Sequence, residues 1–249
     1  PYAQRQPKPI VWFYGQGSNP DYFLSTRDAA HEWDVAMRVT VQSARYAECI
    51  RTGNSAPDCQ SRYPMYFGQQ DDNDQVIALA KEVDDCRNGL TNVTTNCEGL
   101  AETLGAQRGL DAAIIAFAKQ PEMLVLCHSP VEPNAPAACP DPPLPAGTSA
   151  LDCFAAELAG DRDSATAQAC KSAVYARNGD LRYNTVNVIT APQTPSPWGI
   201  MVDADDPTSG EKIVASINVW SHVTDLASQQ LVDTARYIKG ELTTADVTE

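Results

Sequence analysis

The sequence predicts a mixed α/β (α+β) protein: a small mixed sheet with an antiparallel edge hairpin, packed on several helices and stapled by disulfides. Three observations carry this expectation. Apolar residues recur at helical spacing through the first two thirds of the 249 residues, three extended runs crowd into the last third, and eight cysteines fall into four close sequential pairs.

The elements follow in order. Ile10–Tyr14 (IVWFY) is a short apolar run closed by Gly15 and the turn-like GSNP, which reads as a buried first strand. Ser25 with Asp28 gives a capping-box signal, and Ala30, Trp33, Met37, Val41 and Ala44 recur at helical spacing, so a helix is expected from about Thr26 to Ala47. Asn73 or Asp74 can cap a second helix with Val76, Leu79, Ala80 and Val83 inward, stopped at Gly89. Leu110, Ala113, Ile114 and Phe117 mark a third, ending before Pro121.

Met123–Cys127 (MLVLC) is a short continuous apolar run, which reads as an interior strand. Seven prolines between Pro130 and Pro145 then remove backbone donors and favour an extended surface loop. Two modest helices, Ala150–Leu158 and Ser164–Ala176, end at Gly160 and Gly179. From Leu181 the period becomes extended, with Tyr183, Thr185, Asn187 and Ile189 on one face, followed by strands at about Gly199–Val202 and Lys212–Trp220 around the turn DADDPTSGE. A last helix is expected from about Asp225 to Lys239. The whole reads as one domain, 1–249, with a helical, disulfide-rich insertion at about 49–178.

With 43% hydrophobic and 20% charged residues the chain has an ordinary globular composition. Its formal charge of −14 repels phosphate backbones and anionic membrane surfaces, so nucleic acid is not an expected partner. No run approaches the ~18 apolar residues that a membrane span needs.

Cys49, Cys59, Cys86, Cys97, Cys127, Cys139, Cys153 and Cys170 form no CxxC pair, which argues against a zinc ribbon or a thioredoxin-type site. Sequential pairing gives spans of 10, 11, 12 and 17 residues and is the favoured arrangement among the roughly one hundred connectivities that eight cysteines permit. Such bridges place the protein in an oxidising compartment: secreted, periplasmic or at the cell surface.

Catalytic constellations are sparse. His31-Glu32 begins like HExxH, yet Val35 stands where the second histidine belongs, and His31 is expected on a helix surface. His128 and His222 are isolated, there is no GxSxG elbow, and the tryptophans read as core or rim packing. Two acidic clusters suit calcium in composition: Asp203, Asp205 and Asp206 in the hairpin turn, and Asp71, Asp72, Asn73 and Asp74 at a helix start. A solvated turn and helix capping are the respective structural alternatives. Asn92-Val93-Thr94 fits a glycosylation acceptor.

The segment DDPTSGEKIVASINVW resembles the hairpin that lies upstream of HExxHxxGxxH in secreted bacterial zinc metallopeptidases of the metzincin (matrixin-like) type. LRYNTVNVI looks like the preceding strand, and IVWFY with the AAHEWDVAM helix looks like the first strand and backing helix of such a domain. The resemblance implies a metzincin-like N-terminal subdomain that lacks the zinc-binding segment. It implies that Ile213–Val219 is the edge strand, with the backbone of Ile217, Asn218 and Val219 facing a peptide substrate. Zinc and its ligands would come with a segment beyond Glu249, and the chain alone is expected to be inactive. The expected partners are that C-terminal catalytic portion or another protein chain, and a peptide substrate. The alternative is a non-catalytic extracellular binding module or a structural component of a surface assembly.

Overall fold

In the computed structural model, residues 1–65, 70–91, 96–193 and 197–248 are described, the side chains of Tyr2, 70–73, Val247 and Thr248 excepted. Asn92-Val93-Thr94, the side chains of Asp71, Asp72 and Asn73, and Glu249 lie outside the described residues. The architecture is mixed α/β, with strands β1 (Ile10–Tyr14), β2 (Leu124–Cys127), β3 (Asn184–Ile189), β4 (Gly199–Asp205) and β5 (Lys212–Trp220) in the order β2-β1-β3-β5-β4. The chain divides into two compact units, one of residues 1–12 and 23–175, the other of 13–22 and 176–249.

The first unit holds the helices α1 (Phe23–Arg51), α2 (Ala56–Arg62), α3 (Gln70–Arg87), α4 (Cys97–Arg108), α5 (Ala112–Ala118), α6 (Ala150–Leu158) and α7 (Ala165–Ser172). Its main apolar core packs Val76, Leu79, Ala80 and Val83 of α3 against Ile114 and Phe117 of α5, as their spacing predicts. Ala101 of α4 joins them. The short helices depend on caps and bridges more than on propensity. Ser149 and Asp152 form a reciprocal capping box on α6, Ser164 caps α7, and Cys153–Cys170 joins the two beside Leu144. All four bridges are sequential: Cys49–Cys59, Cys86–Cys97, Cys127–Cys139 and Cys153–Cys170.

Helix α1 departs from its expected pattern. It begins at Phe23 after a 3-10 turn at Pro20–Tyr22, so the expected cap Ser25 lies inside it. Its buried stripe is His31, Asp34, Val35, Arg38 and Gln42, one position away from the apolar stripe that the spacing suggested, and Trp33 is 63% exposed. His31 is therefore a core residue. Asp34 and Arg38 take this face because they pair with one another and with backbone groups across the core, which removes the penalty that normally keeps charges out.

In the second unit β3 and β5 run parallel, with Val188 opposite Val219, and β4 and β5 run antiparallel, with Met201 opposite Ile217. The hairpin turn is built by Asp206, whose Oδ1 accepts from the amides of Thr208 (2.7 Å) and Ser209 (3.3 Å) and whose carbonyl accepts from Gly210. Gly210 has a φ of 71°, the left-handed conformation that glycine adopts without strain. Helix α8 (Ser221–Ile238) follows β5 without a break, starting four residues earlier than its periodicity indicated, and a short α9 (Thr244–Thr248) comes after it.

The sheet order corrects two expectations. β2 stands at one end of the order and not inside the sheet; β5 lies between β3 and β4, so it is an interior strand, and β4 is the outer strand of the hairpin. The sequence could not distinguish them, because both strands of a hairpin alternate in the same way and their order depends on which one meets β3.

Candidate functional site

The open edge of β4 and the concave face beside it form the candidate site. The Trp220 amide donates to the Trp198 carbonyl at 3.3 Å, making these two a hydrogen-bonded pair. Alternation along an antiparallel ladder then directs the backbone groups of Ile200, Val202 and Ala204 toward β5, and those of Gly199, Met201 and Asp203 outward. The Ala215 amide, which donates to Asn184 Oδ1 at 2.9 Å on the β3 side, has the orientation this parity requires. Among the described residues no strand pairs with the outer side of β4.

The backbone groups of Ile217 and Val219 are directed to β3 and those of Asn218 to β4. The backbones of these three residues are therefore engaged within the sheet, and the outward-directed backbone groups are those of Gly199, Met201 and Asp203. The alternation of β4 was legible in the sequence, but its outward parity needed the pairing partner.

One face of this sheet carries a polar ladder. Thr185 Oγ1 donates to Ser216 Oγ (3.1 Å), and Asn187 Nδ2 donates to Ser216 Oγ (3.1 Å) and Asn218 Oδ1 (3.0 Å). The ladder floors a concavity of about 690 Å³, bordered by Ser18, Tyr183 and, from β4, Val202 and Ala204. That volume is within the usual range of ligand clefts. Gly15 leaves room for the Asn187 side chain, since a Cβ there would lie 1.8 Å from Asn187 Oδ1.

The acidic turn does not gather into a calcium site. The Lys212 ammonium is bound by Asp203 and, at 2.8 Å, by Asp205, which fills the position a cation would take between them. The Asp206 carboxylate is turned to the Thr208 and Ser209 amides, and those bonds hold it below the usual carboxylate range. Hydrogen bonding to Lys212 holds Asp203 low as well.

A second polar cluster lies within the helical unit. Arg38, fully buried, donates through Nε to Asp34 Oδ2 (2.7 Å), through Nη1 to the carbonyls of Ala118 (3.2 Å) and Gln120 (2.8 Å), and through Nη2 to Asp84 Oδ2. Arg87 bonds the other Asp84 oxygen (3.0 Å) and the carbonyls of Lys119 and Gln120. Asp34 Oδ1 accepts from the amides of Met123 and Leu124. Two helices thus hold the connection from α5 to β2 through its own backbone.

Electrostatics follow from this packing. Burial works against the charge on Arg38, but Asp84 and Asp34 hold its pKa above the ordinary value. Burial pushes Asp84 up to about 6, against the pull of Arg38, so it is ionised at neutral pH. Burial, followed by the charge of Asp84, pushes Glu122 up to about 7. His31 is lowered by burial and is neutral.

His31, Asp34 and Asp84 bring one ligand atom each within 4.8 Å of one another, the only such group among the described residues. They do not fit zinc. Both carboxylates are already committed to arginines and backbone amides, and a divalent ion about 4 Å from the Arg38 guanidinium would be repelled by about 8 kcal/mol at an effective dielectric near 20. His128 is elsewhere, stacked on Phe23 with ring centroids 3.6 Å apart and 3.5 Å from Glu132, and burial lowers its pKa. No protein-family model, curated protein or solved structure matches this chain.

Proposed function

We propose that the chain is the N-terminal, non-ligand portion of a secreted zinc-dependent metallopeptidase-like protein, in which it supplies the sheet and the strand that aligns an extended peptide. The observation that carries this is the outward-facing backbone of Gly199, Met201 and Asp203 beside the concave polar face. Three outward residues offer up to about six main-chain hydrogen bonds to an added antiparallel strand. Such bonds give affinity for any extended backbone and leave sequence preference to the flanking side chains. Peptide hydrolysis would be the activity of the complete protein, with zinc and its ligands coming from residues other than those described.

Four disulfides support an extracellular or periplasmic setting; no helix among the described residues is long and apolar enough to cross a membrane. The second reading, a non-catalytic extracellular binding or surface-assembly module, is favoured by α8, where Leu231 is 73% and Ile238 78% exposed. A partner chain or a catalytic portion would bury that stripe.

Met201→Pro is the direct test. It removes an outward N–H and leaves the β4–β5 ladder whole, whereas Val202→Pro removes an inward donor. Binding of unfolded carboxymethylated casein should fall at least tenfold with Met201→Pro while thermal stability holds. Unchanged binding would reject the edge as the site. Zinc content and casein hydrolysis by the native protein distinguish a peptidase from a binding module.

A further inference from the structure

We infer that the β4 edge selects extended peptides carrying basic residues at their N-terminal end, running antiparallel to β4. This rests on the strand-addition reading above and adds the chemistry and direction of the occupant.

The edge has different chemistry at its two ends. At the turn end, Asp203, Asp205, Asp206 and Glu211 face a single ammonium, Lys212, which leaves three negative charges uncompensated. Asp203, Asp205 and Glu211 are exposed and Asp206 partly so. At the other end Gly199 adjoins Trp198, which is 63% exposed and uncharged. Between them Ile200, Met201 and Val202 are exposed and apolar. A strand added here therefore has a cationic preference at one end and an aromatic or apolar one at the other.

Direction follows from the backbone. An antiparallel strand forms paired hydrogen bonds with each outward residue, which is the stronger ladder. Its N-terminal residues then lie beside Asp203 and Asp205, and its C-terminal residues beside Trp198. A second copy of this chain is a poor occupant of the edge, because each copy carries a formal charge of −14.

Two blocked peptides of equal composition and charge, acetyl-KKVTVTF-amide and acetyl-FTVTVKK-amide, test this with the full chain. Because both carry the same charge, general attraction to an acidic protein cancels. The first should bind about 3- to 10-fold more tightly at about 20 mM salt, with the difference falling below about 2-fold near 0.5 M. Asp205→Asn with Glu211→Gln should erase the difference by weakening the first peptide several-fold more than the second.

Equal affinities, or tighter binding of the second peptide, overturn the inference and leave strand addition standing. If neither peptide binds, strand addition itself fails. Sedimentation of the free protein should show a monomer. A dimer dispersed by Met201→Pro would place a second copy on the edge and overturn the inference.

Discussion

Arg38→Met tests the buried ionic clamp most sharply. Methionine matches the stem of arginine but supplies none of the donors that reach Asp34, Asp84 and the Ala118 and Gln120 carbonyls. Asp84 would keep Arg87 and the Gln120 carbonyl would keep its bond from the same residue, so the loss falls on Asp34 and on the Ala118 carbonyl. Asp34 would be a fully buried carboxylate held by two backbone amides without a counter-charge. Stranding one member of a buried pair costs about 3–5 kcal/mol, a large part of the roughly 5–15 kcal/mol that keeps a domain folded.

Differential scanning calorimetry with the disulfides intact should show the transition of the helical unit about 6–20 °C lower. The loss should also depend on pH. Asp84, pushed up to about 6 by burial even with Arg38 beside it, loses that opposing charge in the variant and titrates higher. Between its unfolded value and this raised value the folded variant binds more protons than the unfolded chain, so its stability falls as pH rises. The gap from the wild type should therefore widen between pH 5 and pH 8. A loss under about 1 kcal/mol, or one equal at both pH values, would refute the assignment of these charges as the clamp.

Glu122→Gln should act in the opposite direction. With a folded pKa of about 7 against an ordinary 4.5, Glu122 weakens the fold progressively as pH rises through that interval, so the glutamine variant should be about 1–3 kcal/mol more stable at pH 8 and no different near pH 4.5, as urea titrations at both pH values would show. Replacing Cys153 and Cys170 by serine opens a 17-residue span and should cost about 3 kcal/mol, with faster amide exchange concentrated in α6 and α7. Val202→Pro removes an inward donor of β4, so circular dichroism should show lost strand signal in this variant and not in Met201→Pro.

What the sequence determined about this protein was local. Alternation from Tyr183 to Ile189 and the DADDPTSGE turn specify strands and a hairpin because backbone pleating and turn geometry depend on neighbouring residues. The disulfide pairing was legible because each bridge joins cysteines 10 to 17 residues apart. The inward faces of α3 and α5 followed from apolar spacing alone.

The tertiary structure decided what depends on distant partners. Helix α1 turns inward a stripe containing Arg38, whose partners other than Asp34 lie 46 to 82 residues away, and the local Asp34–Arg38 spacing does not announce that the pair will be buried against them. The same holds for the site. Ile217, Asn218 and Val219 and the outward residues of β4 alternate alike in sequence, and only the docking of β5 against β3, about thirty residues earlier in the chain, fixes which hairpin strand keeps an open edge.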